Sequence, residues 1–235
     1  MNLIGASSLR VGVLFSGGKD SAYAIWLLQH QGWEIPVLVT VQPKRPESFI
    51  FHYPGIESTS LQSKALGIDQ VFIREETSGL DELQNTLSRV KRDYGIEGVA
   101  TGAVASDYQK TRFDHICDGT GLRSFNPLWH KKPETIVDDL IQARFDAIIS
   151  GVAARGLDKS WLGRHLDANA WKELKQLSRQ YGIHLTGEGG EYESFVVDAP
   201  NFKHAIRIEK TREVWDGQSG YVIIEEALLI DKILN

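Results

Sequence analysis

The chain has 235 residues, 42% of them hydrophobic and 24% charged, which matches globular proteins and excludes disordered, collagen-like and coiled-coil classes. Its 31 acidic and 26 basic residues leave a formal net charge of −5, so a nucleic-acid footprint across the whole surface is not expected. A single cysteine, Cys117, excludes an internal disulfide, a CxxC redox pair and a zinc site built from cysteines alone. Because no apolar run reaches the roughly 18 residues of a membrane span, the sequence predicts a cytoplasmic protein without membrane segments.

Strand and helix patterns alternate along the first half of the chain. The clearest helix covers residues 80–94, where apolar side chains step by three and four along one face: Leu80, Leu83, Leu87, Val90 and Tyr94. The other predicted elements are helices at 22–28 and 56–66, strands at 10–15, 35–41, 70–73 and 98–101, and a loop at 42–55. Regular alternation of this kind is typical of an α/β fold with a parallel sheet and crossover helices.

The pattern changes after Pro127. The predicted elements are helices at 133–144 and 166–181, the second capped by Asp167, and strands at 147–152, 205–208 and 221–224. The last two strands alternate between apolar and polar residues and are predicted to be antiparallel. The sequence therefore predicts two domains, an α/β domain over residues 1–125 and a smaller α+β domain over residues 126–235.

The strongest local motif is Ser16-Gly-Gly-Lys-Asp-Ser21, which lies between a predicted strand and a buried helix. The two glycines allow a sharp turn, and the free N–H groups of the following helix N-terminus attract anions. Hydroxyl groups and a lysine add further donors, so the loop is suited to holding a pyrophosphate. It matches neither the Walker A loop nor the GxGxxG dinucleotide loop. The plain alternative is a Gly-Gly turn with solvent-facing Lys19 and Asp20.

A second candidate segment, residues 101–112, follows the fourth predicted strand. Ligands of open parallel sheets bind beyond the carboxyl ends of the strands, so this segment is expected to face the loop at Ser16. Gly102 and Ala103 leave room for a base or ribose, whereas Ser106 and Asp107 can cap a helix or contact magnesium. Arg112 can reach an α-phosphate, although an arginine on a helix surface can equally face solvent.

An acidic, glycine-rich segment lies at residues 187–195. Glu188, Glu191 and Glu193 are so close together that they repel one another unless a cation or fixed donors are present. A solvated acidic turn is the alternative reading of this pattern.

Four blocks in order resemble a known enzyme family. SGGKDS at 16–21 is similar to the loop of the PP-loop ATP pyrophosphatases, which split ATP into AMP and pyrophosphate. Three further blocks complete the match: residues 101–112 taken together with FNPLW at 125–129, then LDKSWLGR at 157–164 and GEGGEYESF at 187–195. The four blocks together resemble the diphthine–ammonia ligases. The resemblance implies a Rossmann-like (HUP-type) parallel sheet, an ATP-binding domain over residues 1–125 and a substrate-binding domain over residues 126–235.

The same resemblance implies roles for individual residues. It places ATP on Ser16, Gly17, Gly18, Lys19, Asp20, Ser21, Gly102, Ala103, Ser106 and Asp107, catalysis on Lys19, Asp20 and Arg112, and Mg²⁺ on Asp20 or Asp107. It places the substrate on Trp161, Arg164, Glu188, Gly189, Gly190, Glu191, Tyr192 and Glu193. Our hypothesis is that Trp161 and Tyr192 hold the trimethylammonium group of the substrate by cation–π contacts, with packing of Trp161 in the core as the alternative.

The resemblance also implies a reaction. Ammonium is joined to the carboxylate of diphthine on translation elongation factor 2 through an acyl-adenylate, giving diphthamide, AMP and pyrophosphate. Two alternatives remain: a PP-loop enzyme that modifies tRNA, disfavoured by the single cysteine and the acidic charge, and a non-catalytic nucleotide sensor. No direct nucleic-acid binding is expected, and the oligomeric state stays open, a homodimer included.

Overall fold

The computed structural model describes residues 8–42, 58–74, 80–105 and 107–232. The predicted loop at 42–55 and the predicted ligand Ser106 fall outside these residues, apart from Gln42. Among the helices of the described ranges, none combines the length and apolarity that crossing a bilayer requires.

The first half forms a five-stranded parallel sheet, in the order β3-β2-β1-β4-β5. Its strands are β1 (Val11–Leu14), β2 (Val37–Gln42), β3 (Asp69–Arg74), β4 (Gly98–Ala100) and β5 (Arg123–Phe125). Central β1 pairs with β2 on one side and with β4 on the other, since Val13 is in register with both Leu38 and Ala100. The strand order therefore reverses beside β1, and the carboxyl ends of β1 and β4 border the crevice where open α/β sheets bind ligands.

Within the described residues, four helices cover both faces of this sheet: α1 (Lys19–His30), α2 (Thr59–Leu66), α3 (Leu80–Tyr94) and α4 (Asp107–Thr120). Leu87 of α3 and Ile116 of α4 pack in one apolar cluster, with Val37 and Val39 of β2. Ile25 and Leu28 of α1 belong to a second, larger cluster. The parallel strands are thus buried on both faces, which explains why they appear in the sequence as short continuous apolar runs.

The second half forms a four-stranded antiparallel sheet, in the order β7-β6-β9-β8. Its elements are β6 (Asp146–Val152), β7 (Tyr192–Asp198), β8 (His204–Trp215), β9 (Gly220–Asp231), α5 (Pro133–Gln142) and α6 (Ala168–Tyr181). The predicted cap is present, because the Asp167 side chain accepts a hydrogen bond from the Ala170 N–H at 2.8 Å. Opposite Ser194 and Glu193 of β7, strand β6 carries one extra residue between Ile149 and Gly151, a β-bulge.

The α/β fold class with a parallel sheet and flanking helices is confirmed, but several elements differ from the prediction. The sequence analysis missed β5 because its three residues, partly exposed, carry no periodic pattern. It missed β7 because the strand begins inside the glycine-rich acidic segment. Strands β8 and β9 each have 12 residues, far more than the short apolar stretches predicted, because charged residues continue both strands into solvent.

Both halves contribute to one apolar core. The larger cluster contains Val11 and Phe15 from the first half and Ile148 and Phe195 from the second. Polar contacts join the halves as well, since the Lys203 N–H donates to the carbonyl of Ala65 at 2.6 Å. The division at residue 125 stays a prediction, and the core shows that the two parts are packed against each other rather than joined by a free linker.

Candidate active site

A cavity of about 620 Å³ opens at the carboxyl ends of β1 and β4, a size suited to a small-molecule ligand. Elements from both halves form its wall. The polar lining comprises Ser16, Asp20, Ser21, Thr101, Gly102, Ala103, Arg112, Gly187, Glu188, Gly189, Gly190 and Glu193. An apolar part of the wall consists of Leu14, Leu83, Phe113 and Ile116. The structure therefore brings together, in one cavity, most of the residues predicted from three separate segments.

The loop of residues 16–21 is held in shape by contacts from outside it. Gly17 has φ +82°, a conformation that favours glycine, and a Cβ there would lie 2.9 Å from Thr59 Cγ2. Its carbonyl accepts hydrogen bonds from Gln62 Nε2 at 2.8 Å and from the Val196 N–H at 3.1 Å. Strand β7 and helix α2 thus fix the turn that leads into α1.

Lys19 lies beneath this loop rather than on the cavity wall. Its buried ammonium donates to Asp20 Oδ2 at 2.9 Å and to the carbonyl oxygen of Thr186, and it lies 5.0 Å from the centroid of the Tyr192 ring. Burial alone would lower the pKa of Lys19, but Asp20, followed by Tyr192, outweighs burial and raises the pKa above its ordinary value. The charged lysine therefore anchors the segment before β7 to the first turn of α1.

Asp20 supplies the best-placed metal ligand of the site. Its Oδ2 pairs with Lys19, while Oδ1 is buried and has no hydrogen-bond partner among the described residues. Asp107, the other predicted ligand, is the exposed first residue of α4 and does not line the cavity. Within the described ranges no cluster of three or more metal-ligating side chains exists. An ion on Asp20 would therefore need phosphate or water oxygens as further ligands, as Mg²⁺ commonly does.

Gly102 allows the loop after β4 to approach the first turn of α1. A Cβ on Gly102 would lie 2.6 Å from the Ser21 nitrogen and 2.7 Å from the Asp20 carbonyl carbon, and neither backbone atom can give way cheaply. Together with Ala103, Gly102 also lines the cavity, and its place beside a base or ribose stays a prediction. Arg112 reaches the same cavity from α4.

Glu188 joins the second half to the loop after β4. Its Oε1 accepts hydrogen bonds from the Val104 N–H at 3.1 Å and the Ala105 N–H at 3.0 Å. Two fixed backbone donors thus offset part of the repulsion expected among the glutamates. We call residues 187–190 with this contact the Glu188 clasp, because it closes one side of the cavity.

The other two glutamates of the segment differ in environment. Glu191 accepts a hydrogen bond from the His184 N–H at 2.8 Å, which shapes the turn, and it does not line the cavity. Glu193 does line the cavity from β7. Burial raises the pKa of the Glu193 carboxyl to about 8; Lys19 opposes this effect and Asp20 adds to it.

The described arrangement gives no support to the predicted aromatic cage, because neither ring lies on the cavity wall. Trp161 is 5% exposed in the core, and the Arg164 guanidinium lies 4.5 Å from its ring centroid. Arg164 itself forms two hydrogen bonds of 2.8 Å with Glu173. Tyr192 is 2% exposed, and its hydroxyl donates to the Leu185 carbonyl at 2.7 Å.

Two residues around the loop were not predicted. The Lys19 N–H, at the start of α1, donates to Ser194 Oγ at 3.1 Å, and Gln62 Nε2 bridges the carbonyls of Gly17 and Val196. Ser194 belongs to the GEGGEYESF block, so its motif was visible although its contact was not. Gln62 carries no signal in a single sequence, because only its burial in α2 sets it apart from other glutamines.

Comparison with known families shows what the chain is similar to. The model of the diphthamide synthase N-terminal domain matches residues 9–124, and that of the C-terminal domain matches residues 132–230. A diphthine–ammonia ligase from Rattus norvegicus is 32% identical over 228 residues, covering 88% of this chain and 85% of the rat protein. The chain belongs to the diphthamide synthase family.

Other members of the diphthamide synthase family differ in length. The diphthine–ammonia ligase of Schizosaccharomyces pombe is 32% identical over 228 residues, and the match covers 89% of this chain but 37% of the yeast protein. Among solved structures, a U34-tRNA thiolase from Methanococcus maripaludis is 15% identical, covers 78% of this chain and 72% of its own, and gives a TM-score of 0.40. The resemblance stated from the four sequence blocks is thus confirmed by the family match.

Proposed function

We propose that this member of the diphthamide synthase family is a diphthine–ammonia ligase, which uses ATP to amidate diphthine on translation elongation factor 2. The observation that carries the proposal is the match of both family domains and of whole relatives with that name. The cavity supports it, because its wall combines the glycine loop of the first half with the acidic segment of the second. Such a wall suits a reaction between a nucleotide and a second substrate.

The chemistry of the cavity wall suggests how the nucleotide would be oriented. Its phosphates belong at the loop of residues 16–21, where the N–H groups at the start of α1 attract anions and the Ser16 hydroxyl lines the cavity. The Ser21 hydroxyl donates its hydrogen to the Gly18 carbonyl at 3.0 Å and so supports the loop itself. The apolar wall of Leu14, Leu83, Phe113 and Ile116 suits the adenine ring, with the ribose beside Gly102 and Ala103. Arg112, on the same wall, would then contact the α-phosphate.

Magnesium is the metal that this donor set suits. The unpartnered Asp20 Oδ1 is a carboxylate oxygen, the kind of ligand that Mg²⁺ prefers beside phosphates. When bound, the ion would neutralise charge on the phosphate oxygens. Lys19 would hold the Asp20 carboxylate in place for the ion, because its ammonium donates a hydrogen bond to Asp20 Oδ2.

The proposed chemistry has two steps. The diphthine carboxylate attacks the α-phosphorus, pyrophosphate leaves, and an acyl-adenylate forms; ammonia then attacks the acyl carbon and AMP leaves. A water-excluding site is needed, because water would otherwise hydrolyse the acyl-adenylate. The Glu188 clasp forms part of the wall that the second half contributes, where we place the substrate. Glu188 would favour cations there, which suits both ammonium and the trimethylammonium group, whereas Glu193 would add negative charge only above its pKa of about 8.

Elongation factor 2 acts in the cytoplasm, so we propose the same location for this reaction. The decisive experiment incubates the chain with diphthine-bearing elongation factor 2, ATP, Mg²⁺ and ammonium, and follows the mass of the factor and the nucleotide products. We expect the mass change of an OH replaced by NH₂, with one AMP and one pyrophosphate per factor. Formation of ADP would contradict the proposal, and ATP binding without any turnover would favour the sensor.

A further inference from the structure

Ser194 brings a hydroxyl from the second half of the chain to the glycine loop of the first. It lies on β7, it is 8% exposed, and its Oγ accepts the hydrogen bond from the Lys19 N–H at 3.1 Å. That N–H belongs to the first residue of α1, one of the donors that a helix N-terminus presents to an anion. Ser194 Oγ therefore lies at the position to which the Lys19 N–H, one of the anion-binding N–H groups of the loop, points.

A second hydroxyl converges on the same place. A Cβ built on Gly18 would lie 3.5 Å from Ser16 Oγ and 3.6 Å from Ser194 Oγ, so both oxygens flank the same side of Gly18. Ser16 lines the cavity, and it also lies 3.2 Å from Ser21 Oγ. The space above Gly18 is thus bordered by two hydroxyl groups, Ser16 from the loop and Ser194 from β7, and by the Ser194 carbonyl oxygen, which lies 3.4 Å from the same Cβ position.

The Ser194 hydroxyl still has a proton to donate. A serine hydroxyl has one donor and two acceptor positions, and Lys19 uses an acceptor position. Among the described residues no group receives the hydroxyl hydrogen. A phosphate oxygen above Gly18 would be such an acceptor, and a hydrogen bond to a charged group is stronger than one between neutral groups.

We propose that Ser194 is a binding residue for the pyrophosphate half of ATP, and for the pyrophosphate product, through donation of its hydroxyl hydrogen to a phosphate oxygen above Gly18. The inference rests on the proposed function, because it assumes that this loop holds the phosphates. It adds a ligand from the substrate half of the chain to a site otherwise formed by the loop and α1. The AMP half of the nucleotide lies away from Ser194, beside the apolar wall.

Strand β7 connects the proposed pyrophosphate position to the substrate side of the cavity. Ser194 adjoins Glu193, which faces the acidic side of the cavity, so β7 contacts both the pyrophosphate position and the substrate side. The carbonyl of Val196 on the same strand is tied to Gln62, and the Val196 N–H to Gly17. A shift of β7 on substrate binding would therefore move a phosphate ligand directly.

The test measures equilibrium binding of ATP, inorganic pyrophosphate and AMP to the full chain, each with Mg²⁺. Ser194→Ala removes the donor, Ser194→Thr keeps a hydroxyl, and Ser63→Ala is the matched control. Ser63 is also 8% exposed, but its hydroxyl donates to the Ile68 carbonyl at 2.6 Å, at the end of α2. Loss of one hydrogen bond to a charged group predicts about tenfold weaker binding or more for ATP and pyrophosphate in Ser194→Ala.

AMP binding should stay unchanged in Ser194→Ala, Ser194→Thr should restore most of the affinity, and Ser63→Ala should change none of the three. Equal weakening of AMP and pyrophosphate in Ser194→Ala would show a general distortion of the site and overturn the inference. Unchanged pyrophosphate binding in that variant would also overturn it, while leaving the proposed function intact. A wild-type chain that binds neither ATP nor pyrophosphate would instead overturn the proposed function, and the role of Ser194 with it.

Discussion

The two neighbouring glycines of the loop, Gly17 and Gly18, differ in backbone conformation and in the space around them. Gly17 has φ +82° and no room for a Cβ, whereas Gly18 has φ −77° and ψ 165°, values that any residue adopts. A Cβ on Gly18 would meet its neighbours at 3.4 to 3.6 Å, ordinary van der Waals distances. Gly17 is therefore required by the backbone, whereas Gly18 is required only by the phosphate that we propose to bind beside it.

We expect Gly18→Ala to retain the stability of the wild type and to lose most of its affinity for ATP and pyrophosphate, because the methyl group fills the phosphate position. Gly17→Ala should instead lose roughly 1–2 kcal/mol of unfolding free energy, the cost of a left-handed backbone for a residue with a Cβ. Urea denaturation and nucleotide binding measured on both variants provide the test. A destabilised Gly18→Ala variant would contradict the geometry of the loop.

The raised pKa of Glu193 makes the stability of the protein depend on pH. In the folded protein the Glu193 carboxyl has a pKa of about 8, whereas in the unfolded chain it loses its proton near the ordinary value of 4.5. Between these values the folded state binds more protons, so this group lowers the unfolding free energy as pH rises. Below pH 4.5 the Glu193 carboxyl is protonated in both the folded and the unfolded state, so it does not change the unfolding free energy. Above about pH 8 it is ionised in both states, and the destabilisation that it causes no longer changes with pH.

Glu193→Gln, which cannot ionise, should remove this contribution. We expect the gain in stability of the variant over the wild type to be larger at pH 8 than at pH 5, as measured by urea denaturation at both values. The difference in unfolding free energy between variant and wild type cancels the contributions of distant titratable groups. It retains the interactions of Glu193 with Lys19, Asp20 and Glu188. An equal difference at both pH values would show that Glu193 ionises normally in the folded state.

Among the elements, the helices were more predictable than the strands. Helix α3 has the bounds expected from the spacing of Leu80 to Tyr94, because one apolar face against a sheet dictates that spacing. Strand β7 has no such signal, since glutamates, Ser194 and buried aromatics alternate in a motif that also forms the site. The loop and the acidic segment could be predicted as site residues from their chemistry, but the side-chain directions of Lys19, Trp161 and Tyr192 depend on tertiary packing.

The Glu188 clasp predicts a local change in dynamics. Glu188→Ala removes the acceptor of the Val104 and Ala105 N–H groups, so these amides should exchange with solvent about tenfold faster in hydrogen-exchange measurements. Glu188→Gln keeps an oxygen acceptor and serves as the control, with exchange close to that of the wild type. If exchange at residues 104–105 were the same in all three proteins, the clasp would be absent in solution.

At the scale of the whole molecule, the shared core predicts a single cooperative unit. Cys117, 1% exposed, lies in the apolar cluster beneath α3 and α4, whereas Trp161 and Trp171 lie in the larger cluster of both halves. Burial raises the pKa of the Cys117 thiol to about 12, so alkylation of the native protein should be very slow.

Urea titrations followed by Cys117 alkylation and by tryptophan fluorescence should therefore give coincident transitions. Coincidence of probes is the usual test for two-state unfolding. A fragment of residues 1–125 should lack this cooperative transition, because the core residues contributed by β6 and β7 would be missing. Separate midpoints for the two probes in the full chain would show that the halves unfold independently.

The bulge in β6 lies beside the residues of β7 that contact the cavity and the glycine loop. The extra residue, Ser150, interrupts the pairing of β6 with β7 between Glu193 and Ser194. Glu193 lines the cavity, and Ser194 accepts a hydrogen bond from the glycine loop. The extra residue is in β6, so β7 keeps its regular alternation here, and its consecutive side chains Glu193 and Ser194 point to opposite faces of the sheet. Deletion of Ser150 would shift the register of β6 against Glu193 and Tyr192, so the length of β6, as well as side-chain chemistry, constrains the geometry of this part of the cavity wall.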